Sequence, residues 1–115
     1  PIRDRNRGNI EAAGADSLAA EAVLSQTRLD ARRAQPDARM LLGAAEERVA
    51  ALSGPALIQA EEALRLAQIG YAAGKFSLIE LIDAQAALTA TRKSLIDARL
   101  DRARALAALI RANAQ

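Results

Sequence analysis

The segment Gly70-Tyr71-Ala72-Ala73-Gly74-Lys75-Phe76-Ser77-Leu78-Ile79-Glu80 constrains this chain more than any other. Gly74 is the residue type that takes the left-handed conformation just past a helix C-terminus. Ser77-Leu78-Ile79-Glu80 has the spacing of a capping box, in which a Ser side chain and a Glu side chain satisfy each other's backbone N–H groups at a helix start. A helix stop, a short turn and a helix start within about seven residues predict a helical hairpin.

The flanks have matching periodicity. Leu57, Ala60, Leu64, Ala67 and Tyr71 step by three and four, which is a heptad seam. After the turn, Leu81, Leu88, Leu95, Arg102 and Leu109 recur every seven residues, accompanied by Ala84, Thr91, Ala98 and Ala105. A second row, Ile82, Thr89, Ile96, Ala103 and Ile110, runs along the same helix. That stripe is wider than a two-stranded coil requires, so the returning helix should meet more than one neighbour.

Upstream, Leu18, Ala22 and Leu29, with Ala15, Ala19, Val23 and Gln26, fall at helical spacing between Asn9 and Ala34. Gly14 weakens this stretch by roughly 1 kcal/mol relative to alanine. Pro36 is expected to kink or end the helix near Gln35, because its ring meets the carbonyl four residues back. Ser53-Gly54-Pro55 reads as a second break, with Ser53 capping a restart and Pro55 in the first turn. The expected organisation is a single helical domain over 1–115. It has a polar entry segment over 1–8 with Asp4 or Asn6 as N-cap, and an interrupted helix over 9–70. A tip turn over 71–77 and a returning helix over 78–113 complete it.

Composition agrees with an all-α chain. Hydrophobic residues make up 51% and aromatics 2%, and thirty residues are alanine, the best helix former. Val23 and Val49 are the only valines, so strand-forming material is scarce. With no Cys and no His, the chain lacks thiolate and imidazole chemistry; no catalysis, cofactor or tight metal site is expected. A formal charge of +2 is too small to argue for nucleic acid. The basic stretch Arg92, Lys93, Arg99, Arg102 and Arg104 reads as a solvated face paired with acids such as Asp97 and Asp101. No apolar run is long enough to span a bilayer, and the start at Pro1 is that expected of a segment cut from a longer chain.

At about 1.5 Å per residue the returning helix is roughly 52 Å long. It reaches back to about Pro36 and leaves 9–35 unpartnered. The expected fold is a long antiparallel helical hairpin or coiled coil, with a fold-back at Pro36 into a three-helix bundle, or self-association, as ways to cover the remainder.

Two segments resemble the TolC-like outer-membrane efflux proteins. Tyr71-Ala72-Ala73-Gly74-Lys75-Phe76-Ser77 followed by Leu78-Ile79-Glu80-Leu81-Ile82-Asp83-Ala84-Gln85 fits the family pattern of Tyr, Gly and Ser/Thr at spacings of three, then an apolar and acidic run ending in Asp-Ala. Pro1-Ile2-Arg3-Asp4-Arg5-Asn6-Arg7-Gly8-Asn9-Ile10 is similar to the Asp-Arg-Asn-x-Gly-Asn stretch that leaves the second β-hairpin in the cobalt-zinc-cadmium resistance type branch. Pro55 to Leu64 fits the family's descending helix. Arg3 stands where the family usually has an aromatic, and Gly14 and Pro36 where it has plain helix.

The resemblance implies a C-terminal periplasmic helical part of a trimeric efflux channel in a Gram-negative outer membrane. The membrane would be crossed by a β-barrel absent from this chain. Such channels work with a periplasmic adaptor and, indirectly, an inner-membrane pump. In that frame Glu80 and Asp83, with Tyr71 and Lys75, would line the channel entrance, while Gly74, Phe76, Ser77 and Leu78 would form the tip turn that meets the adaptor. The competing roles are local: Glu80 as a capping residue, Asp83 as a helix-start charge, Tyr71 as a seam residue, and Phe76 as a staple against the following helix. A stand-alone coiled-coil scaffold without a transport role is the alternative function. A lipid-surface protein would need large apolar faces with aromatic anchors, and the near absence of aromatics argues against it.

Overall fold

The computed structural model describes residues 2–114, with side chains from Arg3 onward; Pro1, at the head of the entry motif, and Gln115 lie outside the described residues. Helix α1 spans Ile2–Ala51, a π-turn follows over Leu52–Ala56, α2 spans Leu57–Ala72, and α3 spans Leu78–Asn113. The first three run end to end as one limb, and α3 returns beside it. The molecule measures 101 × 26 × 13 Å, close to the roughly 107 Å that a 71-residue helix would span.

The paired limbs meet along the seams that the periodicity marks. On α3, Leu88, Leu95, Ala98 and Ala112 are buried, with Leu81, Ala84, Thr91, Ala105 and Leu109 half-buried between them. Facing them, Ala38, Val49 and Ala67 are buried, and Leu42, Ala45, Leu52, Leu57, Ala60 and Leu64 are half-buried. Val49, Leu52 and Leu57 pack with Leu95 and Ala98, and Ala98 is 0% exposed. Small residues at these contacts allow close backbone approach. An Arg48–Asp101 ion pair of 3.1 Å ties the limbs at the surface; exposed pairs of this kind contribute about 0–1 kcal/mol. Where α3 ends, an open groove of about 290 Å³ is lined by Ala34, Ala38 and Leu41 from α1 and Ala108 and Ala112 from α3, together with Asp37 and Arg111.

Residues 3–33 extend past this groove and are all exposed. The chain therefore has a surface of 8844 Å², against about 6,000 Å² for a compact monomer of its mass.

Three local expectations are corrected. Residues 3–8 are helical rather than an irregular entry, so neither Asp4 nor Asn6 acts as an N-cap; no proline falls within 3–8, and arginine is a good helix former. Pro36 neither ends the helix nor folds it into a three-helix bundle. Its side lies exposed, α1 continues through it, and Ala38 just beyond is held against α3. Ser53 caps nothing: the helix does not stop there, and Ala56 at the start of α2 is helical at φ −65°, ψ −45° with no side-chain cap.

The π-turn has a cause in the seam itself. Contact positions step 38, 42, 45, 49, 52 and then 57, 60, 64, 67. The step from Leu52 to Leu57 is five residues, one more than an α-helix allows without turning its face away by about 100°. The extra residue is absorbed where Leu57 N–H reaches back five residues to the Leu52 carbonyl. Pro55 lies inside this turn and has no N–H to lose from an α-helical ladder.

Candidate functional site

The sharp reversal is built by backbone hydrogen bonds at the end of α2. Lys75 N–H donates to the Gly70 carbonyl at 2.8 Å, and Gly74 N–H to the Tyr71 carbonyl at 3.0 Å. Those are the two bonds of a Schellman motif, which needs a left-handed residue after the helix. Gly74 supplies it at φ 73°. Phe76 N–H also donates to Gly70, at 3.1 Å.

Gly70 has a second role, missed at the level of the sequence. The Phe76 ring lies back over it, and a methyl built there would fall 2.7 Å from Cε2, 2.8 Å from Cγ, and closer still to Cδ2. Phe76 thus packs onto the preceding helix through the missing side chain of Gly70. The signal available was a buried-face glycine six residues before the sole phenylalanine.

The start of α3 is the reciprocal cap that the spacing predicts. Glu80 N–H donates to Ser77 Oγ at 3.2 Å, and Ser77 N–H donates to Glu80 Oε2 at 2.6 Å. Glu80 therefore does act as a capping residue, with one carboxylate oxygen held by the turn. Asp83 sits one turn on, along the same flank.

Every residue from Tyr71 to Glu80 is exposed. Tyr71 is 45% exposed, Phe76 44% and Leu78 52%, so the buried position closing the seam is Gly70, not Tyr71. The turn brings Gly74, Lys75, Phe76, Ser77 and Leu78 together at one end of the rod, with Tyr71 behind them on α2 and Glu80 and Asp83 on α3. Further along α2, the Arg65 guanidinium hydrogen-bonds Glu62 and holds its carboxyl below the usual range. No group of acids among the described residues is placed to hold a metal ion.

The profile of the family described as "Outer membrane efflux protein" matches residues 1–115. The chain belongs to the outer membrane efflux protein family. No curated protein and no solved structure matches it. The members of this family are transport channels rather than enzymes. Among the described residues of this outer membrane efflux protein, no helix is long and apolar enough to cross a membrane.

Proposed function

We propose that this chain is the periplasmic helical part of a trimeric outer-membrane efflux channel, which exports small molecules or metal ions with a periplasmic adaptor and an inner-membrane pump. Residues 2–72 descend to the periplasmic tip, the turn lies at the entrance, and α3 returns.

The observation that carries this reading is the division of α3 into four lengthwise faces. One is the seam from Leu81 to Ala112 that packs on α1 and α2. A second heptad seam, Ile79, Ile82, Ala86, Thr89, Lys93, Ile96, Leu100, Ala103, Ala107 and Ile110, lies about 150° around the helix. It is exposed along most of its length, with Ile79 at 70% and Ile96 at 65%. Two nearly opposite seams are what a helix needs when it has a neighbour on either side in a closed wall. Of the two faces between them, one carries Glu80, Asp83, Asp97 and Asp101 and then Arg104 and Arg111, and the other Arg92 and Arg99. Its acidic stretch from Glu80 to Asp101, turned to the lumen, suits passage of cations. The surface in excess of a compact monomer, about 2,800 Å², is of the size that obligate subunit interfaces bury. A stand-alone scaffold leaves the second seam without a purpose.

In this arrangement Glu80 and Asp83 ring the entrance three times over, where crowded carboxylates attract cations. Tyr71 and Lys75 lie beside them, and Gly74, Phe76, Ser77 and Leu78 face the adaptor. The Asp4-Arg5-Asn6-Arg7-Gly8-Asn9 stretch favours the cobalt-zinc-cadmium resistance type branch. Single-channel conductance with and without divalent cations tests the reading. Asp83→Ala and Glu80→Gln, the latter keeping the cap, should change conductance or cation block. If both leave them unchanged, the acids are helix-start charges only.

A further inference from the structure

The π-turn absorbs one extra residue, and the limb between it and the tip carries a second, largely apolar face one residue round from the one on α3. The face in use is Leu57, Ala60, Leu64 and Ala67. If the limb were α-helical straight through from Leu52, the positions brought to α3 would be Ala56, Gln59, Ala63, Leu66 and Gly70. That second set has a single polar member, Gln59; Gly70, buried under Phe76, already closes the seam in use and stays there in either arrangement. The two faces differ by a one-residue turn about the helix axis, roughly 100°.

We propose that residues 57–69 are a two-position rotor, with the π-turn as its moving part and Pro55 as its pin. A π-turn travels along a helix by exchanging i→i+5 hydrogen bonds for i→i+4 bonds one residue at a time. Travel from Leu52–Ala56 toward Gly70 would rotate the intervening helix by one residue while α1 and the tip turn stay in place. Leu57 and Leu64 would leave the seam, and Leu66 would enter it. Pro55 blocks the journey. In an α-helix its ring would press on the Ala51 carbonyl and leave that oxygen without its partner; inside the π-turn the conflict is relieved. This device is independent of the channel reading and goes beyond it.

The chain contains no cysteine, so reporter thiols can be placed freely. In the intact protein, Ala67→Cys (a position 6% exposed) and Leu66→Cys (50% exposed) report the two faces. Alkylation is followed by mass spectrometry of the peptide carrying each thiol, in three backgrounds: Pro55, Pro55→Ala, and deletion of Pro55. With Pro55 present, Cys at 67 should react slowly. Pro55→Ala should raise its rate roughly tenfold or more while the rate at 66 holds or falls. Deleting Pro55 removes the extra residue and the pin together, shortens the step from Leu52 to Leu57 to four, and should restore slow reaction at 67. An unchanged rate at 67 in Pro55→Ala overturns the rotor. So does acceleration at both positions, which signals opening of the hairpin, and so does failure of the deletion to restore protection.

Discussion

Replacing Gly70 with alanine should have opposite signs in two backgrounds. Gly70 lies in the last turns of α2, where alanine is favoured over glycine by up to about 1 kcal/mol. Against that, the new methyl would meet three atoms of the Phe76 ring, among them Cγ at 2.8 Å. Cγ is next to the backbone, so the ring cannot bend aside; it must rotate away and lose its cover. Phe76 is 44% exposed, so a little over half of the burial energy of a phenylalanine is at stake, about 1–1.5 kcal/mol. Gly70→Ala alone should therefore be neutral to destabilising by about 0.5 kcal/mol. In a Phe76→Ala background it should stabilise by up to about 1 kcal/mol, giving a coupling of roughly 1–1.5 kcal/mol. Equilibrium urea unfolding of the four proteins measures this cycle. If Gly70→Ala stabilises equally with and without the ring, Phe76 does not rest on Gly70 and the account of the tip is wrong.

Gly74→Ala should cost about 1–2 kcal/mol despite the open space around it, because the penalty lies in the left-handed backbone at φ 73°; thermal unfolding reads it, and a neutral result would refute the Schellman geometry. Ser77→Ala should cost about 1 kcal/mol through loss of the α3 cap, whereas Glu80→Gln should cost much less, since an amide oxygen still accepts the Ser77 N–H. Equal losses for the two variants would mean that the charge, not the cap, supplies the stability. Small-angle scattering of the dilute chain should return a radius of gyration near 28.6 Å, against roughly 13 Å for a compact fold of this length; a value below about 20 Å would revive the fold-back at Pro36.

The features legible in the sequence were those whose cause is local or strictly periodic. Gly74 and the Ser77–Glu80 pair each dictate their own backbone, so the turn and the start of α3 at Leu78 could be placed closely. The heptads gave the paired faces, and the length of α3 gave the point near Pro36 where pairing stops. Neither Pro36 nor Pro55 stops the limb, although local rules for proline favour a stop at each. Pro36 is tolerated because its side of the helix is exposed while Ala38 is gripped by α3, and that balance is tertiary. Ser53-Gly54-Pro55 has the composition of a break, but the five-residue step from Leu52 to Leu57 is taken up by a π-turn without ending the helix. Gly70 could not be assigned from spacing alone, since its importance comes from a ring that folds back across the turn. Tyr71 seemed to continue the Leu57–Leu64 row, but the Schellman turn closes the seam at Gly70 instead.

The exposed half of α1 has a consequence for reading mutations in this protein. Residues 3–33 contribute to the folding of this chain mainly through helix propensity, so swapping Leu18, Leu24 or Leu29 for alanine should scarcely register in any measurement on the chain alone. The same swaps would register fully wherever another surface covers those positions. A mutational survey scored on folding and one scored on export would therefore rank this stretch very differently, and the gap between the two rankings, residue by residue, would trace the outline of whatever lies against it.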